Sequence, residues 1–160
     1  MQGLVQGGLV LITLAAAAPV MAQGLRDAMF STERSCYARR YSKSHLAEHP
    51  AQRVTKIALT PDIGTSDDPD LRLILLVKIK TSDEILEAIS YCDPAGADRM
   101  FCSLEGDAGG FTVAPARNGS VLLTVGTLGI GLEGAQGFVM LEHDRGDDRS
   151  FILPAVEGCE

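Results

Sequence analysis

Apolar and polar side chains alternate along most of the chain from residue 53 onward. The clearest stretch is 71–80, where Leu71, Leu73, Leu75, Val77 and Ile79 fall on one side of a strand and Arg72, Lys78 and Lys80 on the other. Ile74 and Leu76 share that second side, which predicts cover over its middle. The same alternation predicts strands over 53–60, 85–92, 99–104, 111–114, 121–125, 128–132, 138–142 and 150–153. Between them lie turn residues: Asn118-Gly119 is a hairpin signal, 61–70 is a loop by composition, and 144–148 turns the chain into its last strand. Helical signals are confined to the first third. A helix can begin in 23–35, and 42–49 makes about two turns, with Ser42 as N-cap and Pro50 forbidding continuation. These spacings predict a mainly β domain, an antiparallel sandwich or small barrel of about eight strands with a short N-terminal helix. The alternative is α+β, reached if Thr81-Ser82-Asp83-Glu84 opens a helix running to Ile89.

The first 22 residues break this pattern. They carry no charged side chain, hold an apolar run from Leu9 to Ala18, and end on Val20-Met21-Ala22, with small residues where a signal peptidase reads. The run falls short of the roughly 20 residues that span a bilayer, and Pro19 interrupts it. The expectation is a signal peptide over 1–22 and a single domain over 23–160, periplasmic or secreted, with no membrane span in the mature chain. Four cysteines then read as two disulfides. Of the three connectivities, the preferred one pairs Cys92 with Cys102 across a short loop and Cys36 with Cys159 across almost the whole domain. Zinc on four thiolates lacks any C-x₂-C spacing.

Charge is distributed unevenly within a net −7. Residues 34–56 hold six basic side chains against Glu48 alone, while the rest of the chain is strongly acidic. An acidic, exported body excludes nucleic acid as a partner. The basic stretch suits an unidentified protein partner or a small anionic ligand. In an extended Cys36–Tyr41 segment, Tyr37, Arg39 and Tyr41 share one face. With Arg40 and Lys43, they form the candidate binding strip.

Motifs with chemical content are few. Gly129-Ile130-Gly131-Leu132-Glu133-Gly134 spells G-x-G-x-x-G, but a strand-like segment follows where the dinucleotide fold needs a helix, so the glycines read as a bulge or a bent strand. His45-Leu46-Ala47-Glu48-His49 spells H-x-x-E-H. It makes His45 and His49 the candidate metal ligands and Glu48 the general base of a metal-dependent hydrolase, with His143 or an acid as a third ligand. A two-turn helix cut by Pro50 is poor context for that chemistry, and the expected cofactor is none beyond an adventitious divalent metal. Asp67, Asp68 and Asp70 crowd one loop and Asp144, Asp147 and Asp148 another, neither with the alternate spacing of a calcium loop. No catalytic nucleophile pattern occurs, so no catalytic residue is assigned.

Cys36-Tyr37-Ala38-Arg39-Arg40-Tyr41, followed by His45-Leu46, His49-Pro50 and Gln52, resembles small exported proteins of Gram-negative bacteria that carry no assigned activity. The resemblance implies the periplasm and transfers no site residue. The expected function is a non-enzymatic binding or interaction module, an inhibitor of a secreted hydrolase being one form. The alternatives are a metal-binding protein or metal-dependent hydrolase built on His45, Glu48 and His49, and a small-ligand-binding β-barrel.

Overall fold

The computed structural model describes residues 21–32, 34–62 and 71–159. Residues 1–20 of the segment expected to be a signal peptide over 1–22, and the first aspartate cluster, lie outside them. A helix, α1 (Met21–Met29), leads into β1 (Tyr37–Arg40), a short α2 (Lys43–Glu48), and then a series of strands. These are β2 (Val54–Pro61), β3 (Leu71–Ile79), β4 (Leu86–Pro94), β5 (Met100–Leu104), β6 (Gly109–Pro115), β7 (Val121–Gly134), β8 (Gly137–Leu141) and β9 (Ser150–Leu153). All nine join one antiparallel sheet in which sequential strands are neighbours from β1 to β8, while β9 returns to pair with β7. The sheet closes on itself where Tyr37 of β1 bridges Ala155, just past β9. The result is a small closed barrel, the mainly β fold that the alternation predicts.

The inward face is the face the pattern marks. Leu71, Leu73, Leu75, Val77 and Ile79 are all buried, and Leu73 and Leu75 are wholly so. They meet Phe111, Leu123, Ile130 and Phe151 in one contiguous core, which fills the inside of the barrel with side chains. Ser90 is fully buried among them and donates to the Leu73 carbonyl at 3.1 Å, so its hydroxyl is satisfied. Met29 and Phe30, at the end of α1, pack into the same core, and the Tyr37 hydroxyl donates to the Met29 carbonyl.

The two expected strands over 121–125 and 128–132 are one strand of 14 residues. The first half of β7 pairs with β6 and β9, and the second half with β8, with Gly109 of β6 and with one residue of β4. A single strand serves both sets of neighbours because it bends at its glycines. Gly129 has φ +83, and a Cβ there would lie 2.7 Å from the Leu141 carbonyl oxygen, so only glycine fits. The G-x-G-x-x-G letters are a bent strand. The helix of the α+β alternative does not form, because residues 80–85 turn the chain directly into β4. Around Asn118-Gly119 the connection takes a 3-10 turn over Arg117–Gly119 rather than a two-residue loop, with Asn118 at φ 58 and Gly119 at φ 69.

Both disulfides form as paired from the spacing, Cys36 with Cys159 and Cys92 with Cys102. They fit an oxidising compartment. Among the described residues no helix is long and apolar enough to cross a membrane.

Candidate functional site

The barrel's closing seam is incomplete. Beyond the Tyr37–Ala155 bridge, β1 and the chain after β9 share the bonds Ala38 N–H to Pro154 O at 3.0 Å and Val156 N–H to Cys36 O at 2.9 Å. Toward Arg40 the contact changes character: the Arg39 guanidinium reaches the Ile152 carbonyl at 3.4 Å. The chain beyond β1 stays with β2, through Tyr41 N–H to Thr55 O at 2.9 Å. A surface groove of about 600 Å³ opens there. Arg39, Tyr41, His45, His49 and Gln52 line one side, and Leu122, Gly146, Asp147, Arg149, Ser150 and Ile152 the other.

One wall is a column of stacked groups. The Arg39 guanidinium lies 4.8 Å from the centroid of the Tyr41 ring. Tyr41 stacks on His45 with centroids 4.8 Å apart, and His45 on His49 at 4.4 Å, each pair within 30° of parallel. His49 Nδ1 ends the column 3.6 Å from an Asp147 carboxylate oxygen. The spacing explains it, since Tyr41, His45 and His49 recur every four residues: His45 lies in α2, Tyr41 just before its N-cap and His49 at its C-cap, so the turns of the helix stack the three rings.

Two groups hold α2 in place. At its start the Ser42 hydroxyl accepts the His45 N–H at 3.1 Å. At its end the Lys80 ammonium faces the carbonyls of Leu46, His49 and Pro50 at 3.3–3.4 Å, where the helix dipole favours a cation.

Gln52 sets which ring nitrogen of His45 faces it as a donor. It is buried, and its amide nitrogen must donate to the Val54 carbonyl at 2.8 Å. Its oxygen therefore faces His45 Nε2 at 3.0 Å, which makes Nε2 the protonated nitrogen of that ring. Burial pushes the Tyr41 phenol above its ordinary range; the Arg39 charge pulls it partly back and Asp148 adds to the rise.

The floor is the loop before β9. Asp148 is buried, and its two carboxylate oxygens accept the N–H groups of Arg53 at 2.8 Å and Val54 at 3.1 Å. Gly146 has φ +65, and a Cβ there would meet the Ala51 carbonyl oxygen at 2.7 Å, so the loop lies directly on the chain entering β2. Asp147 is thereby aimed at His49.

Of the binding strip, Arg39 and Tyr41 stand together in the groove, with the candidate ligands His45 and His49 beside them. Tyr37 lies in the core, edge-on to Phe30 at 5.5 Å. Arg40 and Lys43 are exposed and do not line the groove. Glu48 and His143 are exposed and likewise outside it. As stacked, the two imidazoles direct their in-plane nitrogens along parallel planes rather than to one point. Among the described residues no three His, Cys, Asp or Glu side chains come together as a metal site. Asp144, Asp147 and Asp148 do not converge either, since Asp148 is spent on backbone N–H groups.

Sequence reasoning missed Gln52, Asp147, Arg149 and Ile152 as parts of this site. The only local signal was the four-residue recurrence of Tyr41, His45 and His49. A smaller pocket of about 150 Å³ elsewhere on the barrel is lined by Glu87, Glu105, Glu133 and Phe138. Comparison of the chain with protein-family models, with curated proteins and with solved structures finds no match.

Proposed function

We propose that the protein is a non-enzymatic binding module of the periplasm or another exported, oxidising space, and that the seam groove receives an anionic group of its partner. The observation that carries this reading is the pairing of two arginines, Arg39 and Arg149, with an aromatic–imidazole wall in one open groove. A guanidinium offers a planar fork to a carboxylate or phosphate, and the stacked column holds Arg39 in a fixed orientation before anything binds. Leu122 and Ile152 supply apolar area beside it. The inside of the barrel is packed, which favours the seam over the interior as the place for a ligand.

The reading as a binder rather than an enzyme is supported by how the polar groups are engaged. His45 is held by Gln52, and Ser42 caps α2. The four cysteines are bonded in pairs. The test is titration of the protein with N-acetylglutamate diamide, N-acetylglutamate and inorganic phosphate, followed by NMR shifts of the Tyr41, His45 and His49 rings. Anion-dependent shifts that disappear in both Arg39→Gln and Arg149→Gln support the reading. Equal responses to the neutral and charged compounds refute it.

A further inference from the structure

The open seam exposes backbone as well as side chains. In an antiparallel ladder, residues alternate between exchanging both hydrogen bonds with the partner strand and turning both groups away from it. Val125 N–H bonds to Arg149 O at 2.9 Å, and the register runs Thr124 to Ser150, Leu123 to Phe151 and Leu122 to Ile152. Phe151 and Leu153 therefore face β7, while Ser150 and Ile152 turn their N–H and carbonyl groups toward the seam. The bond from Ala38 N–H to Pro154 O fixes the same phase independently, since Pro154 is two residues on from Ile152. On the opposite wall the phase of β1 turns Arg40 toward the seam in the same way, because Tyr41 N–H bonds to β2. Arg39 meets the Ile152 carbonyl only through its side chain, at 3.4 Å. The β1–β9 ladder thus starts at one end of the seam and stops, leaving a strand edge at the groove. Ile152 is 52% exposed on that edge.

We propose that the partner's binding element is an extended acidic peptide segment that adds as a strand along the open edge of β9. Its backbone pairs with Ser150 and Ile152, and its carboxylates take up Arg39 and Arg149. This deepens the groove reading above and rests on it. Strand addition supplies main-chain bonds that do not depend on sequence, and the side-chain pockets then select. Charge complementarity chooses an acidic segment, since both arginines flank the edge and Arg39 already reaches across it. A free carboxylate satisfies the arginines but not the edge, which separates the two proposals.

The test uses an N-acetylated, C-amidated peptide of alternating Thr and Glu, with NMR detection and amide hydrogen exchange on the full folded chain. The expected result is saturable binding together with slowed exchange of the Ile152 and Ser150 amides. Methylating the backbone nitrogens of alternate peptide residues, in each of the two phases, should weaken binding about tenfold or more in one phase only. Replacing every Glu by Lys should weaken it by a similar factor. Ile152→Pro removes a donor that β7 does not use and should reproduce the loss; the methylated peptides carry the test if that variant fails to fold. Three outcomes overturn strand addition: equal affinity for both methylated phases, unchanged exchange at Ile152, or concentration-dependent protection of Ile152 in the protein alone, which would give the edge to a second copy. If N-acetylglutamate still binds through Arg39, the groove reading survives that failure. If neither compound binds, both proposals fall.

Discussion

Replacing Asp148 by alanine should cost far more than its place in an acidic turn suggests. The side chain is 1% exposed and accepts two backbone N–H groups, from Arg53 and Val54. Val54 is itself completely buried, so its donor finds no water once the carboxylate is gone. A buried donor left without an acceptor costs about 1–3 kcal/mol, and bonds to a charged acceptor lie at the upper end of that range. The Arg53 guanidinium, 3.5 Å from the same carboxylate, is partly solvated, keeps its 2.7 Å bond to the Met140 carbonyl, and adds only a few tenths of a kcal/mol. The expected loss is about 3–5 kcal/mol, which for a domain of this size lowers Tm by about 10–15 °C. Asp148→Asn keeps one carbonyl acceptor and should lose about half as much. Urea denaturation followed by circular dichroism measures both, with an unchanged m-value confirming that the folded state is compared with the same unfolded one. A loss below about 1 kcal/mol for Asp148→Ala would falsify the view that this carboxylate anchors the groove floor, since ordinary surface changes stay within about 0.5 kcal/mol.

Gly146→Ala should destabilise by about 1–3 kcal/mol, because it combines a left-handed φ with a backbone clash at Ala51, and it should also shift the His49 ring resonances as Asp147 moves. Lys80→Met should cost about 1 kcal/mol and speed amide exchange in α2 while leaving exchange in β3 unchanged, since the ammonium caps that helix. Replacing Cys36 and Cys159 by serine should cost about 5 kcal/mol by the chain-entropy relation, against about 3 kcal/mol for Cys92 and Cys102, as their separations of 123 and 10 residues require; equal losses in urea melts would contradict it. Burial raises the Tyr37 and Tyr41 phenols, so above about pH 10 the unfolded chain ionises first and binds fewer protons than the native one. Stability should therefore fall as pH rises through that range, and the fall should be shallower in Tyr37→Phe and Tyr41→Phe.

Strands were legible because alternation is a local property: β3 and β9 lie where the pattern puts them, and the loops between them carry turn residues. The two halves of β7 read as separate strands because glycines interrupt their apolar run, and only the partners on either side reveal a continuous bent strand. The groove was legible only in part. The His45 and His49 spacing is helical and could be read directly. The far wall comes from residues about a hundred positions away, as in the Arg39–Ile152 contact across 113 residues. No periodicity encodes which strands meet when a barrel closes. Asp148 misled for a related reason: its sequence neighbours are acidic turn residues, while the partners that bury it belong to β2 and the residue before it.

The bridge between Cys36 and Cys159 also decides how the domain answers force. A pull applied to the chain outside these two residues travels through the sulphurs and never loads the strand ladders between them. The barrel is mechanically bypassed, so tension alone cannot unzip it. Reduction removes that short circuit, and the chain between the cysteines, a sequence separation of 123, could then pay out as much as about 430 Å. In a reducing environment the same barrel becomes extensible, which makes its resistance to stretching a matter of redox state rather than of core packing.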